Sequence, residues 1–248
     1  VNAYKRCRIA FFFLSFLEID AKNVYILIEE KYKRVSRGIQ KGMNQIAHIF
    51  YINLDKRTDR RGEIEQELEK MGLTAERFPA IEVAPPMGIL GCGKSHLQVL
   101  KMARERGYPN VLILEDDFMF LVDRDELDVE IQHLFDYINT EHRVDVCFLA
   151  YNLNRSEPAE GSEDLIRVRY SSSASAYIVN AHYYDTLISL YEEAMPLLEQ
   201  TQMHWIYAND QVWQGLQQSD HWYCFSKRLG KQRDGFSDNS QEFRSYEC

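Results

Sequence analysis

Apolar residues in this chain fall into short runs separated by amphipathic stretches. Ile46–Leu54 is mostly apolar, is interrupted by His48 and ends in Asn53-Leu54-Asp55, which predicts a buried strand. Residues 59–72 set Ile64, Leu68 and Met71 at spacings of four and three, the apolar stripe of a helix that Gly72 stops. Arg77–Ile81 predicts a second, short strand. Residues 94–106 predict a helix carrying Leu97, Leu100, Met102 and Ala103, closed by Gly107. Val111–Leu114 is a continuous apolar strand that runs into Glu115-Asp116-Asp117. Residues 126–138 predict a helix with Leu127, Ile131, Leu134, Phe135 and Ile138 facing inward, and Val144–Ala150 another buried strand.

Beyond residue 150 the pattern loosens. Residues 152–164 are polar, contain Pro158 and Gly161, and predict a loop. Ile166–Tyr170 and Ala174–Asn180 predict strands, His182–Gln200 a helix with Pro196 as its candidate break, Asn209–Gln217 a short helix and His221–Phe225 a strand. Residues 229–248 show no periodicity and predict a flexible tail. Strands alternating with helices imply an α/β fold with a central, mostly parallel sheet covered on both faces. Ligands in such sheets bind beyond the carboxyl ends of the strands. That is where Asn53-Leu54-Asp55 and Glu115-Asp116-Asp117 stand.

Composition narrows the function. The chain has 248 residues, 27% of them charged and 45% hydrophobic, the values of an ordinary globular protein. No stretch approaches the ~20 apolar residues of a bilayer span. A net charge of −9 with no clustered basic arm argues against a nucleic-acid partner. The charge is uneven: residues 1–42 hold 9 Lys/Arg and 4 Asp/Glu, and residues 43–248 hold 20 and 34. We therefore read 1–42 as a basic N-terminal extension and 43–248 as one domain. In the extension, Lys5, Arg6 and Arg8 precede the apolar run Ile9–Leu17, as in a secretory signal. Glu18, Ile19 and Asp20 follow at once, without a small-residue cleavage site. The other readings are an element packed on the domain, or upstream translation before a natural start at Met43. Cys7, Cys92, Cys147, Cys224 and Cys248 are odd in number and lack zinc spacing, so free thiols are expected. That favours the cytoplasm; the endoplasmic reticulum lumen follows if residues 1–42 act as a signal.

Three motifs could carry chemistry. Consecutive carboxylates Glu115-Asp116-Asp117 repel one another unless a cation neutralises them, and hard oxygen ligands suit Mg²⁺ or Mn²⁺. Their bland reading is a solvated acidic turn. The loop Ile52–Arg61 carries Lys56, Arg57, Arg60 and Arg61, guanidinium chemistry suited to phosphate, or else an exposed turn capped by Thr58 or Asp59. Gly91-Cys92-Gly93-Lys94-Ser95-His96 allows close backbone approach, with Ser95 a candidate cap and His96 a candidate ligand contact or a buried structural histidine. No phosphate-binding GxxxxGK[ST] or GxGxxG accompanies them. Together, a basic strand end, a small-residue helix start and an acidic strand end are what a metal–diphosphate nucleotide site requires.

In these motifs the chain resembles glycosyltransferase family 25, which includes bacterial lipooligosaccharide and collagen hydroxylysine galactosyltransferases. The resemblance rests on Tyr51–Arg60 (xINLxxRxxR), Gly91–His96 (GCxxSH), Leu114–Asp117 (LEDD), Ala174–Val179 and Gln232–Asp238 (QxxG[FY]SD), in order across residues 46–240. It implies a GT-A-like Rossmannoid fold, a UDP-sugar donor, most often UDP-galactose, and Mn²⁺ (or Mg²⁺). The implied reaction is inverting transfer to an acceptor hydroxyl on a glycan, as in lipopolysaccharide, or on collagen-type hydroxylysine. By the same resemblance Glu115 and Asp117 would hold the metal. Asn53, Leu54, Arg57, Arg60, Ser95, His96 and Asp116 would contact the donor. Gly93-Lys94 and Ser237-Asp238-Asn239 depart from the family pattern. Inversion by single displacement needs a base on the acceptor hydroxyl. Asp210, flanked by Trp205, Tyr207 and Trp213, is the candidate, with Asp238 in reserve as base or metal contact; a helix cap is the plain alternative for Asp210. The competing functions are a non-catalytic UDP-sugar or glycan-binding module of the same fold, and a nucleotidyltransferase.

Overall fold

The computed structural model describes residues 42–237 and 242–244. Expectations for residues 1–41 and for Asp238 and Asn239 fall outside them. The elements that build the site come first: strand β1 (His48–Asn53), helix α1 (Thr58–Lys70), β2 (Glu76–Pro79), α2 (Gly88–Glu105) and β3 (Asn110–Glu115). After them come β4 (Phe118–Phe120), α3 (Arg124–Asn139), β5 (Val146–Phe148), β6 (Asn152–Pro158), β7 (Leu165–Ser172) and β8 (Ala176–Asn180). The chain continues through α4 (Tyr184–Thr201), α5 (His204–Tyr207), α6 (Asn209–Val212), α7 (Gln214–Ser219) and β9 (Trp222–Phe225). Three short strands follow, β10 (Gly230–Gln232), β11 (Gly235–Ser237) and β12 (Glu242–Arg244).

Eight strands form one sheet in the order β2-β1-β3-β8-β5-β9-β7-β6. β1 pairs in parallel with β2 and β3, and β5 with β9. β8 is antiparallel to β3 and β5, and β7 to β9 and β6. Only β7 and β8 are reversed, so six of the eight strands share a direction, as the α/β reading expects.

Strand pleating explains the two cores. Successive side chains point to opposite faces, so Leu112 and Leu114 join Ile49 and Tyr51 under α1 and α3. Val111 and Ile113 join Phe50 and Ile52 on the other face, under α2 and α4. All four apolar β3 residues are fully buried, which is why that strand reads as one continuous apolar run. The crossover helix α1 leaves β1 toward one face and α2 leaves β2 toward the other. The carboxyl ends of β1 and β3 are thus left open between them, the position where such sheets bind ligands.

Several expectations are corrected. Residues 152–164 are not all loop: β6 is an edge strand paired only with β7 and almost wholly exposed, so no apolar alternation marks it. Pro158 is tolerated there because an edge strand has one unpaired side. Helix α2 begins at Gly88, six residues before the apolar stripe shows it, because its first turns bury Leu90 together with small and polar residues, Gly91, Gly93, Ser95 and His96, that carry no apolar period. α4 runs through Pro196 without ending, since Pro196 is exposed while Ala194, Met195 and Leu198 stay buried. Asn209–Gln217 is two short helices meeting at Trp213. The expected tail contains β10, which pairs with β4 and returns the chain to the carboxyl end of β3.

Candidate functional site

A cavity of about 310 Å³ opens at the carboxyl ends of β1 and β3. Its lining combines apolar residues, Ile52, Leu54, Ala80, Val83 and Ile89, with the carboxylates Glu115, Asp116, Asp117 and Asp210. Arg60 and Gln232 line it too.

The acidic wall is built by strand geometry. Glu115 ends β3, and Asp116 and Asp117 occupy the turn before β4. Asp116 is 8% and Asp117 5% exposed. Asn53 Nδ2 donates to Asp116 Oδ2 at 2.7 Å and to the Arg57 carbonyl at 3.0 Å. Arg77 Nε donates to Asn53 Oδ1 at 3.0 Å, so this asparagine ties β1, β2 and the β3 turn together. Arg60 Nη1, from the first turn of α1, lies 3.2 Å from Asp116 Oδ1 and 2.9 Å from Asp117 Oδ2. Gln232 Nε2, on β10, donates to the same Asp117 oxygen at 3.0 Å. Asp117 Oδ1 is buried without a hydrogen-bond partner. Burial, then the nearby charge of Glu115, pushes the Asp117 carboxyl up to about 7. Burial also raises Asp116, although Arg60 opposes it.

Glu115 is treated differently by its surroundings. Burial alone would raise its pKa, but hydrogen bonds from His96 and Cys92 outweigh that and lower it. His96 Nε2 lies 3.1 Å from Glu115 Oε1 and Cys92 Sγ 3.3 Å. His96 Nδ1 lies 2.8 Å from the Tyr177 hydroxyl. A proton on Nε2 satisfies the carboxylate and leaves Nδ1 to accept from Tyr177. Among the described residues Cys92, His96 and Glu115 converge closely enough to hold an ion. Glu115 is therefore an anion held ready on the cavity wall.

The Gly91–His96 segment lies inside α2, not at its start, so Ser95 does not cap it. Ser95 Oγ donates to the Gly91 carbonyl at 2.7 Å and accepts from Ile81 N–H at 2.8 Å. That bridge fastens the β2–α2 loop, which supplies Ala80 and Val83 to the cavity. A Cβ on Gly91 would stand 2.3 Å from the Ile81 carbonyl oxygen. Lys94, a departure from the family pattern, pairs with Glu199 on α4 at 3.0 Å and does not line the cavity.

Asp210 lines the same cavity from the first turn of α6, with Ser173 N–H donating to its Oδ2 at 3.2 Å. Ser173 has φ of 80°, a strained backbone for a residue with a side chain. Burial raises the Asp210 pKa. Its aromatic neighbours in sequence separate in space. Trp213 is core, stacked edge-on against Phe148 and Tyr177. Tyr207 packs with Leu198, and Trp205 is 60% exposed.

The structure thus gathers Leu54, Arg60, Glu115, Asp116, Asp117 and Asp210 around one cavity. Asn53, Ser95 and His96 are fully buried behind its walls. Arg57 turns to Asp59, with Nη2 at 2.8 Å from Oδ2. Cys92 and Gln232 stand within the sequence motifs, but only the fold shows that Cys92 touches Glu115 and Gln232 touches Asp117.

No family model matches the chain. It is 26% identical over 178 residues to a Drosophila melanogaster protein named "Glycosyltransferase 25 family member", covering 60% of this chain and 29% of that protein. A Drosophila pseudoobscura pseudoobscura protein of the same name is 32% identical over 101 residues, 30% of this chain and 16% of that one. The chain therefore matches less than a third of the length of these curated relatives. Among solved structures, protein A197 from STIV aligns with a TM-score of 0.45 at 10% identity, over 81% of this chain and 95% of its own. A glycosyltransferase involved in glycosylation of the major capsid of PBCV-1 aligns with a TM-score of 0.39 at 9% identity, over 79% and 96%.

Proposed function

With curated relatives named as glycosyltransferase 25 family members, we propose that this chain transfers a sugar from a UDP-sugar donor, galactose first among the candidates, to an acceptor hydroxyl with inversion. The observation that carries the reading is the composition of one cavity: apolar lining residues suited to a nucleobase together with a carboxylate cluster that has an orphaned buried oxygen, Asp117 Oδ1. That oxygen, with Glu115, fits a hard divalent cation, Mn²⁺ or Mg²⁺. When bound, such an ion would neutralise charge developing on the leaving diphosphate. Leu54 and Ile52 would floor the uracil, and Arg60 and Lys56 line the side from which a diphosphate would be reached. Asn53 and His96 act by holding Asp116 and Glu115, Ser95 by holding the loop above them.

Asp210 is the proposed base. It would take the proton of the acceptor hydroxyl as that oxygen bonds to the anomeric carbon and the carbon–phosphate oxygen bond breaks, releasing UDP. Burial raises its pKa, which makes it a stronger proton acceptor than an exposed aspartate. Asp238 remains the second candidate. The acceptor class is a glycan or hydroxylysine hydroxyl.

The test is calorimetry of UDP with Mn²⁺, followed by UDP release from UDP-galactose, UDP-glucose and UDP-N-acetylglucosamine. We expect metal-dependent heat, lost in Asp117→Ala. Asp210→Asn should keep that heat and lose turnover by about 10²–10⁴-fold. Absence of any metal-dependent UDP heat in the unaltered protein overturns the assignment.

A further inference from the structure

The cation already present on the acidic wall belongs to the protein. Arg60 Nη1 contacts Asp116 and Asp117 together, at 3.2 and 2.9 Å, and the side chains of all three are at most 14% exposed. Asp116 Oδ2 is held from the other side by Asn53 at 2.7 Å and Asp117 Oδ2 by Gln232 at 3.0 Å. One guanidinium therefore supplies the positive charge for two buried carboxylates, with Glu115 and Asp210 on the same cavity. In so dry a place a second positive charge beside Asp117 would meet Arg60 at short range, and the repulsion is little screened.

We propose that Arg60 is a displaceable counter-ion: it neutralises Asp116 and Asp117 while the donor is absent, and yields Asp117 to a divalent cation once a diphosphate offers the guanidinium another anion. This rests on the metal–nucleotide reading of the same cavity and adds a prediction to it. The protein should bind a divalent ion poorly alone and well with UDP, and Arg60 should be the cause of the first half. Its guanidinium suits both partners, since carboxylate and phosphate present similar oxygen geometry. Arg60 is thus a positioning residue whose charge decides the order of loading.

The experiment is Mn²⁺ binding followed by the electron paramagnetic resonance signal of free Mn²⁺, with and without UDP. It compares the unaltered protein with Arg60→Gln, Arg60→Lys and Asp117→Asn. Without UDP, Arg60→Gln should bind Mn²⁺ at least about tenfold more tightly, because one opposing charge is gone. With UDP that gain should shrink or reverse. Arg60→Lys, which keeps the charge on a shorter and more strongly hydrated stem, should fall between, and it carries the test if Arg60→Gln does not fold. Mn²⁺ affinity in both Arg60 variants equal to or weaker than in the unaltered protein, without UDP, overturns the proposal and makes Arg60 a simple support for Asp117. If no variant and not the unaltered protein binds Mn²⁺ even with UDP, the metal reading itself has failed. If Asp117→Asn binds Mn²⁺ as well as the unaltered protein, the ion sits elsewhere and both fail.

Discussion

At the scale of single residues, charge compensation is the organising fact. A run of three acidic side chains is legible in the sequence, and so is a run of basic ones sixty residues earlier. That Arg60, and not Arg57, answers Asp116 and Asp117 is not legible, because both lie within one helical turn of the same strand end. Asn53 shows the same limit. It reads as a donor contact at a strand end, yet its side chain is consumed by Arg57, Asp116 and Arg77. Asn53→Ala should leave Asp116 and Arg77 each short of a buried partner. We expect a loss of about 2 kcal/mol or more, read from the urea midpoint. Gly91 makes a sharper test. Its missing Cβ is what lets Ile81 approach, so Gly91→Ala must push the β2–α2 loop outward. We expect a cost of about 1–3 kcal/mol together with weakened UDP binding, because Ile81 lines the cavity.

At the scale of elements, buried strands and the stripes of α1 and α3 were readable because hydrophobic periodicity reports burial directly. The misses have one cause in common: where burial is absent or is achieved with small residues, periodicity is silent. β6 is wet on both faces, and the start of α2 buries a single large residue, Leu90, among glycines. β4 and β10 are three residues each, too short for any period, and owe their existence to each other. Pro196 is the instructive case. A proline inside a helix removes one hydrogen bond and strains the turn before it. α4 survives because the freed carbonyl, at Glu192, belongs to an exposed residue while the inward stripe packs on α2 and the sheet. Pro196→Ala should therefore stabilise the protein by about 1–3 kcal/mol, seen as a higher melting temperature, with the cavity unchanged.

At the scale of the whole molecule, two titratable clusters outside the cavity lining shape the dependence of stability on pH. His133, on α3, faces Asp164 at 3.3 Å and Glu130 at 3.8 Å, and the proximity of the Glu130 and Asp164 carboxylates raises its pKa above 6.5. A raised histidine stabilises the fold fully below 6.5, and that contribution is lost as pH rises through the folded value. Asp145, immediately before β5, is fully buried. Burial would raise it, but Arg143 at 2.8 Å, the His221 N–H and His182 lower it below 3.8. Its contribution is full above 3.8 and is lost as pH falls through the folded value. Melting temperature against pH should therefore decline on both sides. His133→Gln should flatten the alkaline limb and Asp145→Asn the acid limb; an unchanged limb in either variant refutes the assignment of that limb. From the chain alone came the α/β class, the strand ends that matter and the acidic and basic chemistry gathered there, because local periodicity and residue type need no partner to be seen. The pairing of those charges, the reversed direction of β8, the return of Gln232 to Asp117 and the burial of Trp213 against the exposure of Trp205 came only with the tertiary structure. They depend on contacts between residues far apart in the chain, and nothing local in a sequence encodes which distant partner a side chain will meet.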